Sequence, residues 1–277
     1  MKKPIMVAET GINHNGDLLL AKKLITMASV FNCDYVKFQK RDIDLVYEKD
    51  FLDSPRKSQW GETQRDQKKG LEFYSGEYDC IDYFCGELEQ RWFASIWDVN
   101  GVEFVSKYDN DYIKIPSACI TDFELLEKVK ATGIPVIMSV GMSDLPTIEK
   151  AVKYMEPTLE YLLWCKSSYP TPDKEMNMSA FNEIKSLYGK RCRVGFSNHS
   201  QKVIYCVQAA LMGAEMIEFH VTLDRGMAGS DQKASISPVG LDRINRHIMS
   251  VCDGFGDGSV RVEDSEVAVL KKLRKVK

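Results

Sequence analysis

An α/β chain closed into a (β/α)8 (TIM) barrel is the fold the sequence predicts. Three observations carry this: eight short apolar runs of strand character, stretches of helical periodicity between them, and 277 residues, enough for one such barrel. The runs are PIMVAETG (4–11), DYVKFQK (34–40), RWFASIWD (91–98), YIKIPSA (112–118), PVIMSVGM (135–142), YLLWCKSSY (161–169), RVGFSNHS (193–200) and MIEFHVTLD (216–224). Between them DLLLAKKLITMASVF, TDFELLEKVKATG and QKVIYCVQAALMGA return apolar residues every three or four positions. Regular βα alternation demands parallel strands, and runs such as PVIM and YLLW suit a sheet buried on both faces. An open doubly wound sheet would also satisfy this pattern, but eight units favour closure.

The stretch 41–90 is polar, aromatic-rich and too long for one simple βα unit, so it reads as a long loop after the second strand plus a helix around 77–90. Nothing else divides the chain, and one domain is expected over 1–277.

A formal net charge of -3 gives no basic field for nucleic acid or an anionic membrane surface. The basic end, KKLRKVK, fits the last turn of a helix better than a polybasic tail. Eight cysteines lie scattered without CxxC spacing, which points to reduced thiols. No apolar run approaches the roughly 20 residues of a membrane helix, and no leader segment is recognised, so a cytoplasmic protein is expected.

In such barrels the chemistry sits where strands end, at the C-terminal mouth. The first run ends in Glu9, followed by Asn13, His14 and Asn15; the second carries Lys37 and Gln39; the third Ser95 and Asp98; the fourth Lys114 and Ser117. Ser139 closes the fifth, Lys166, Ser167 and Tyr169 the sixth, Ser197, Asn198 and His199 the seventh, Glu218 and His220 the eighth, with Asp231 just beyond. A single serine or lysine here is most simply a satisfied polar group. The whole set is not, because several buried charges at one place need partners, and an anionic ligand and a metal would supply them.

His199 and His220 sit at corresponding ends of neighbouring strands, and two neutral imidazoles with a nearby carboxylate such as Glu218 or Asp231 suit Mn2+ or Mg2+. The donors alone do not separate these from Zn2+. Lys37 and Lys114 with Ser95, Ser117, Ser139, Ser167 and Ser197 make a cationic, hydroxyl-rich ring for a small phosphorylated carboxylate. Neither GxxxxGK[ST] nor GxGxxG occurs, so no nucleotide is indicated. His247, on the last predicted helix, is expected at the surface.

The segments AETGINHNG, VKFQ, KIPSA, VIMSVGM, CKSSYPTP, VGFSNHS, EFHVTLDR and GSDQ resemble, in order, the signature segments of the N-acetylneuraminate (sialic acid) synthase family. The resemblance covers nearly the whole chain. It implies that C3 of phosphoenolpyruvate attacks the aldehyde of an open-chain N-acetylhexosamine such as N-acetylmannosamine, giving a nonulosonic acid and phosphate with a divalent metal, Mn2+ or Mg2+. Carried over by position, His199 and His220 would be the metal ligands, and Glu9, Tyr169 and Asp231 would meet the sugar. Lys37, Ser95, Lys114, Ser117, Ser139, Ser167 and Ser197 would hold phosphoenolpyruvate, with Gln39 between the substrates. Glu9, Gln39, Lys114 and His220 are the residues expected to take part in catalysis. The resemblance also implies a homodimer.

The chain departs from the family pattern twice. Segments resembling KIASGE place an acidic residue two positions after the strand-four serine, where this chain has Cys119. The family also continues into a small antifreeze-like domain that lends an arginine to the neighbouring subunit's sugar site. This chain reads as ending where that domain begins, which leaves room for a separate subunit supplying the lid. Two rival readings follow: a Schiff-base aldolase using Lys166, and a non-catalytic sugar-phosphate-binding subunit.

Overall fold

The computed structural model describes residues 1–275. In chain order its strands are β1 (Ile5–Gly11), β2 (Tyr35–Lys40), β3 (Pro55–Ser58), β4 (Gly61–Thr63), β5 (Arg91–Ile96), β6 (Ile113–Ile115), β7 (Val136–Ser139), β8 (Leu159–Cys165), β9 (Arg193–Asn198) and β10 (Met216–His220). Eight of them close a parallel barrel in the order β1-β10-β9-β8-β7-β6-β5-β2, while β3 and β4 pair as a separate antiparallel hairpin. Each of the eight runs contributes one barrel strand. β6 is short because Pro116 has no N–H to extend the ladder, and Ser117–Cys119 form a single 3-10 turn instead.

The period of two along each strand sorts the chemistry. Met6, Ala8, Val36, Phe38, Ala94, Met138, Leu162, Phe196, Ile217 and Phe219 pack outward with the helices into the main core. Val7, Tyr35, Phe93, Ile137, Tyr161, Leu163 and Met216 pack together as a second apolar cluster. On the same strands, two positions on from members of that second cluster, come Glu9, Lys37, Ser95, Ser139, Cys165 and Glu218. The inward stripe is thus apolar at the bottom and polar at the mouth, so the plug that stabilises the barrel is also the floor of the site.

Helices begin where short acceptors satisfy their free N–H groups. Asp17 accepts from Leu19 and Leu20 at the head of Leu18–Val30, and Asp144 from Thr147 at the head of Leu145–Met155. No helix is long and apolar enough to cross a membrane among the described residues. His247 is exposed on Pro238–Gly254. Of the basic end, Lys271 and Lys272 occupy the last turn of Val267–Leu273, and 276–277 lie outside the described residues.

The stretch 41–90 is more ordered than its polarity predicts. It holds the β3–β4 hairpin, the Gln64–Leu71 helix with a Thr63–Asp66 capping box, and the Ser75–Glu87 helix close to the predicted one. Trp60 fastens the hairpin down: a Cβ on Gly70 would come within 2.2 Å of its ring, so only glycine admits the indole there.

Candidate active site

Twelve of the thirteen predicted site residues line one cavity of about 210 Å³ at the C-terminal mouth: Glu9, Lys37, Gln39, Ser95, Lys114, Ser117, Ser139, Ser167, Tyr169, Ser197, His199 and His220. Asp231 does not line it. Its carboxylate stands 3.8 Å from His220 Nδ1 on the loop after β10. Glu218, Trp97 and Met142 also line the cavity. Trp97 was missed because indoles usually serve packing, yet it lies two residues beyond Ser95 and four beyond Phe93 on the inward stripe. Its buried Nε1–H has no protein acceptor.

Strand register sets the charges side by side. Glu9 lies opposite both Lys37 on β2 and His220 on β10, and Glu218 opposite Ser197 on β9. Lys37 Nζ lies 3.2 Å from Glu9 Oε2 and 2.9 Å from Glu218 Oε2, inside ion-pair range but off the hydrogen-bond direction. Gln39 donates to Glu9 Oε1 at 2.8 Å, and Ser197 to Glu218 Oε1 at 2.9 Å. Lys114 donates to Ser139 Oγ at 2.6 Å and to the Ile115 carbonyl at 3.1 Å, with no carboxylate in ion-pair contact among the described residues.

These surroundings split the titrations. Burial raises Glu9 above the usual carboxylate range, against the pull of Lys37. Burial also acts on Glu218, but there Lys114 and Lys37 prevail and hold it low. Lys37 is lifted by its two carboxylates despite burial. Lys114, buried and without such partners, comes down to about 8. Burial thus favours the neutral form of Glu9, while an anion would stabilise the charged form of Lys114.

Burial, with His220 nearby, lowers His199 to about 3, so it is a neutral imidazole. Its Nε2 faces the Tyr169 hydroxyl at 3.0 Å and Ser197 Oγ at 3.4 Å, while Nδ1 is held by the Lys166 carbonyl. The His199 and His220 ring centres are 5.6 Å apart, and the buried His220 Nδ1 has no hydrogen-bond partner. A divalent cation fits this pair. Among the described residues no third His, Cys, Asp or Glu completes a closed cage, so the remaining positions would fall to water and substrate oxygens.

Several strand-end residues have structural work instead. Asp98 caps Val99–Val105 through Gly101 N and accepts from Asp42 N. Asn13 ties the β1 loop to Val221 and Ser235, His14 stacks on Phe73 at 4.1 Å, and Asn198 turns outward onto Ser200 and Cys206. Lys166 places its Nζ over the Trp164 ring, 5.2 Å from the centre, and does not line the cavity, which removes the amine a Schiff base would need. Cys119 points to the Trp97 carbonyl, and burial pushes its thiol up to about 12. Glu9 and Glu218 are thus the carboxylates lining the cavity.

Residues 24–260 match the model of the NeuB family. The chain is 34% identical to the N-acetylneuraminate-9-phosphate synthase of Drosophila melanogaster, over 97% of this chain and 72% of that protein. It is 30% identical to the N,N'-diacetyllegionaminic acid synthase of Campylobacter jejuni, over 99% of this chain and 84% of that one. The crystal structure of an N-acetylneuraminic acid synthetase from Leptospira borgpetersenii superposes with a TM-score of 0.84 at 27% identity, covering 99% of this chain and 94% of that chain.

Proposed function

The chain belongs to the NeuB family, and we propose that it condenses phosphoenolpyruvate with an open-chain N-acetylhexosamine to give a nonulosonic acid and phosphate. The observation that carries this reading is the single cavity in which two buried lysines and a ring of hydroxyls face a protonatable carboxyl and two imidazoles. The relatives' names include one phosphorylated product and one without phosphate, so the family does not itself fix the acceptor.

Lys37 and Lys114, with Ser95, Ser117, Ser139, Ser167 and Ser197, would neutralise the phosphate and carboxylate and turn C3 toward the acceptor. Gln39, already bonded to Glu9, would lie between the two substrates. C3 attacks the aldehyde carbon, a C–C bond forms, and positive charge develops at C2. Glu9 Oε2 would hold the proton delivered to the new alkoxide oxygen. Water adds at C2 and one of its protons returns to the Glu9 carboxylate; the bond between C2 and the bridging oxygen then breaks, the remaining hydroxyl proton leaves with the phosphate, and C2 becomes the keto carbon. His199 and His220 would hold Mn2+ or Mg2+, which when bound supplies Lewis-acid polarisation of the aldehyde. Tyr169, bonded to His199, and Asp231, near His220, would orient the sugar.

Bond cleavage tests the reading. With ¹⁸O in the C2–O–P bridge, the label should appear in released phosphate, and only when an acceptor sugar is present. Label retained in the organic product, or released without acceptor, would overturn the condensation.

A pH profile tests Lys114 separately. Its ammonium is charged below about 8 in the free protein, so kcat/KM for phosphoenolpyruvate should fall as pH rises through that value. In kcat the limb should move upward, because the bound dianion stabilises the charge. Lys114→Arg should carry the kcat/KM limb out of range, and an unmoved limb would assign it to another group.

A further inference from the structure

We propose that Trp97 is a further catalytic residue, whose indole face stabilises the positive charge that develops at C2 of phosphoenolpyruvate when C3 attacks the acceptor. This rests on the condensation reading and adds to it the group that meets the cation.

The strand period sets the height of the ring. Phe93 belongs to the apolar floor, Ser95 stands level with Gln39 on β2 and Lys114 on β6, and Trp97 comes next on the same stripe, one layer nearer the mouth. Ser95 and Lys114 would take the anionic groups of phosphoenolpyruvate and Gln39 would lie between the substrates, so C2 and C3 fall at the level of the indole. Trp97 lines the cavity beside Pro116 and Ala118 and is only partly buried. Its Nε1 is buried without a partner, so the side chain offers the cavity ring carbon rather than its N–H. Groups outside the cavity hold the residue in place. The Cys119 thiol donates to the Trp97 carbonyl at 3.8 Å. The guanidinium carbon of Arg41 lies 5.9 Å from the ring centre, and Arg41 is itself fixed by Glu72 and Tyr47.

Charge accounting leaves the cation no carboxylate of its own. Among the described residues Glu9 and Glu218 are the acids that line the cavity. Glu218 is matched by Lys37 at 2.9 Å and by Ser197, while Glu9 is shared by Lys37 and Gln39 and would supply the alkoxide proton. The other phenyl-type ring at the mouth, Tyr169, already lies against His199 with ring centres 4.2 Å apart. As C3 gives its π pair to the aldehyde carbon, C2 becomes electron-deficient and shares the charge with the bridging oxygen until water adds. The face of an aromatic ring is negative, and it attracts a desolvated cation more strongly than a hydrated one. In bound phosphoenolpyruvate C2 carries no such charge, so the contact strengthens on the way to the transition state and acts on kcat.

The test replaces Trp97 site-specifically by tryptophans carrying one, two and four ring fluorines, which weaken the negative face in steps with little change of shape. With phosphoenolpyruvate and N-acetylmannosamine, kcat should fall at each step, by about 30-fold over the series, while KM for phosphoenolpyruvate stays within about twofold. A packing role would not follow the fluorine count. Binding gives a reading that needs no turnover. N-(phosphonomethyl)glycine carries an ammonium between its carboxylate and its phosphonate, and (phosphonomethoxy)acetate is its ether counterpart without that charge. Titrated by calorimetry against the same proteins, the cationic ligand should lose affinity relative to the ether along the series. A ratio of the two affinities that fluorination leaves unmoved, or an unchanged kcat, would overturn the role of the indole. If the ratio falls but the unaltered chain releases no phosphate in the presence of acceptor, the cation site stands and the condensation reading falls.

Discussion

Replacing Lys37 with Met should lower kcat/KM for phosphoenolpyruvate by about three orders of magnitude and also destabilise the barrel. Both effects come from one position: the ammonium lies within 3.2 Å of two buried carboxylates in the cavity at the barrel mouth. Removing one member of a buried charge cluster typically costs about 3–5 kcal/mol, since the remaining charges stay desolvated. Glu9 and Glu218 would then face each other with Lys114 as the nearest cation, and Glu9, already raised, would rise further. A second substitution separates the two effects. Lys37→Met/Glu218→Gln should regain much of the lost stability, because one stranded carboxylate is gone, while affinity for phosphoenolpyruvate stays low. Thermal unfolding and substrate titration on the same samples check both. Affinity restored along with stability would mean that Lys37 acts only as a structural counter-ion.

The legible part of this molecule was the part where strand period and site coincide. Inward-facing residues recur every second position, so a run such as MIEFHVTLD shows Glu218 and His220 on one face and Phe219 on the other without any tertiary information. Asp98 and Asn198 stood at strand ends as plainly as Ser95 and Ser197, yet one caps a helix and the other faces outward. Residue type at a strand end does not state direction once the strand has bent into its loop. Lys166 failed similarly: past β8 the chain turns, and its stem lies along Trp164. The hairpin in 41–90 was hidden for a different reason. PRKSQWGET has no apolar alternation, and its order comes from Trp60 seated on Gly70, a contact between elements that no local pattern encodes.

His199→Ala and His220→Ala should each reduce kcat by about 10³-fold or more while leaving phosphoenolpyruvate binding within a few-fold, the reverse of the Lys37 pattern. Loss of one of two imidazole donors would weaken retention of Mn2+ or Mg2+, and with it polarisation of the aldehyde, an effect of several kcal/mol on the transition state. The cavity keeps Lys37 and Lys114 in either variant, which is why binding of the proposed first substrate should survive. Folding should survive too. His199 is neutral, so its removal strands no charge, and the lost contacts to Tyr169 and Ser197 amount to about 1–2 kcal/mol. Mn2+ titration followed by electron paramagnetic resonance, beside circular dichroism and single-turnover phosphate release, reads metal, fold and chemistry independently. Undiminished metal binding in both variants would remove the imidazole pair from the mechanism and leave Glu9, whose raised carboxyl lies opposite His220 in the strand register, as the polarising group at the aldehyde.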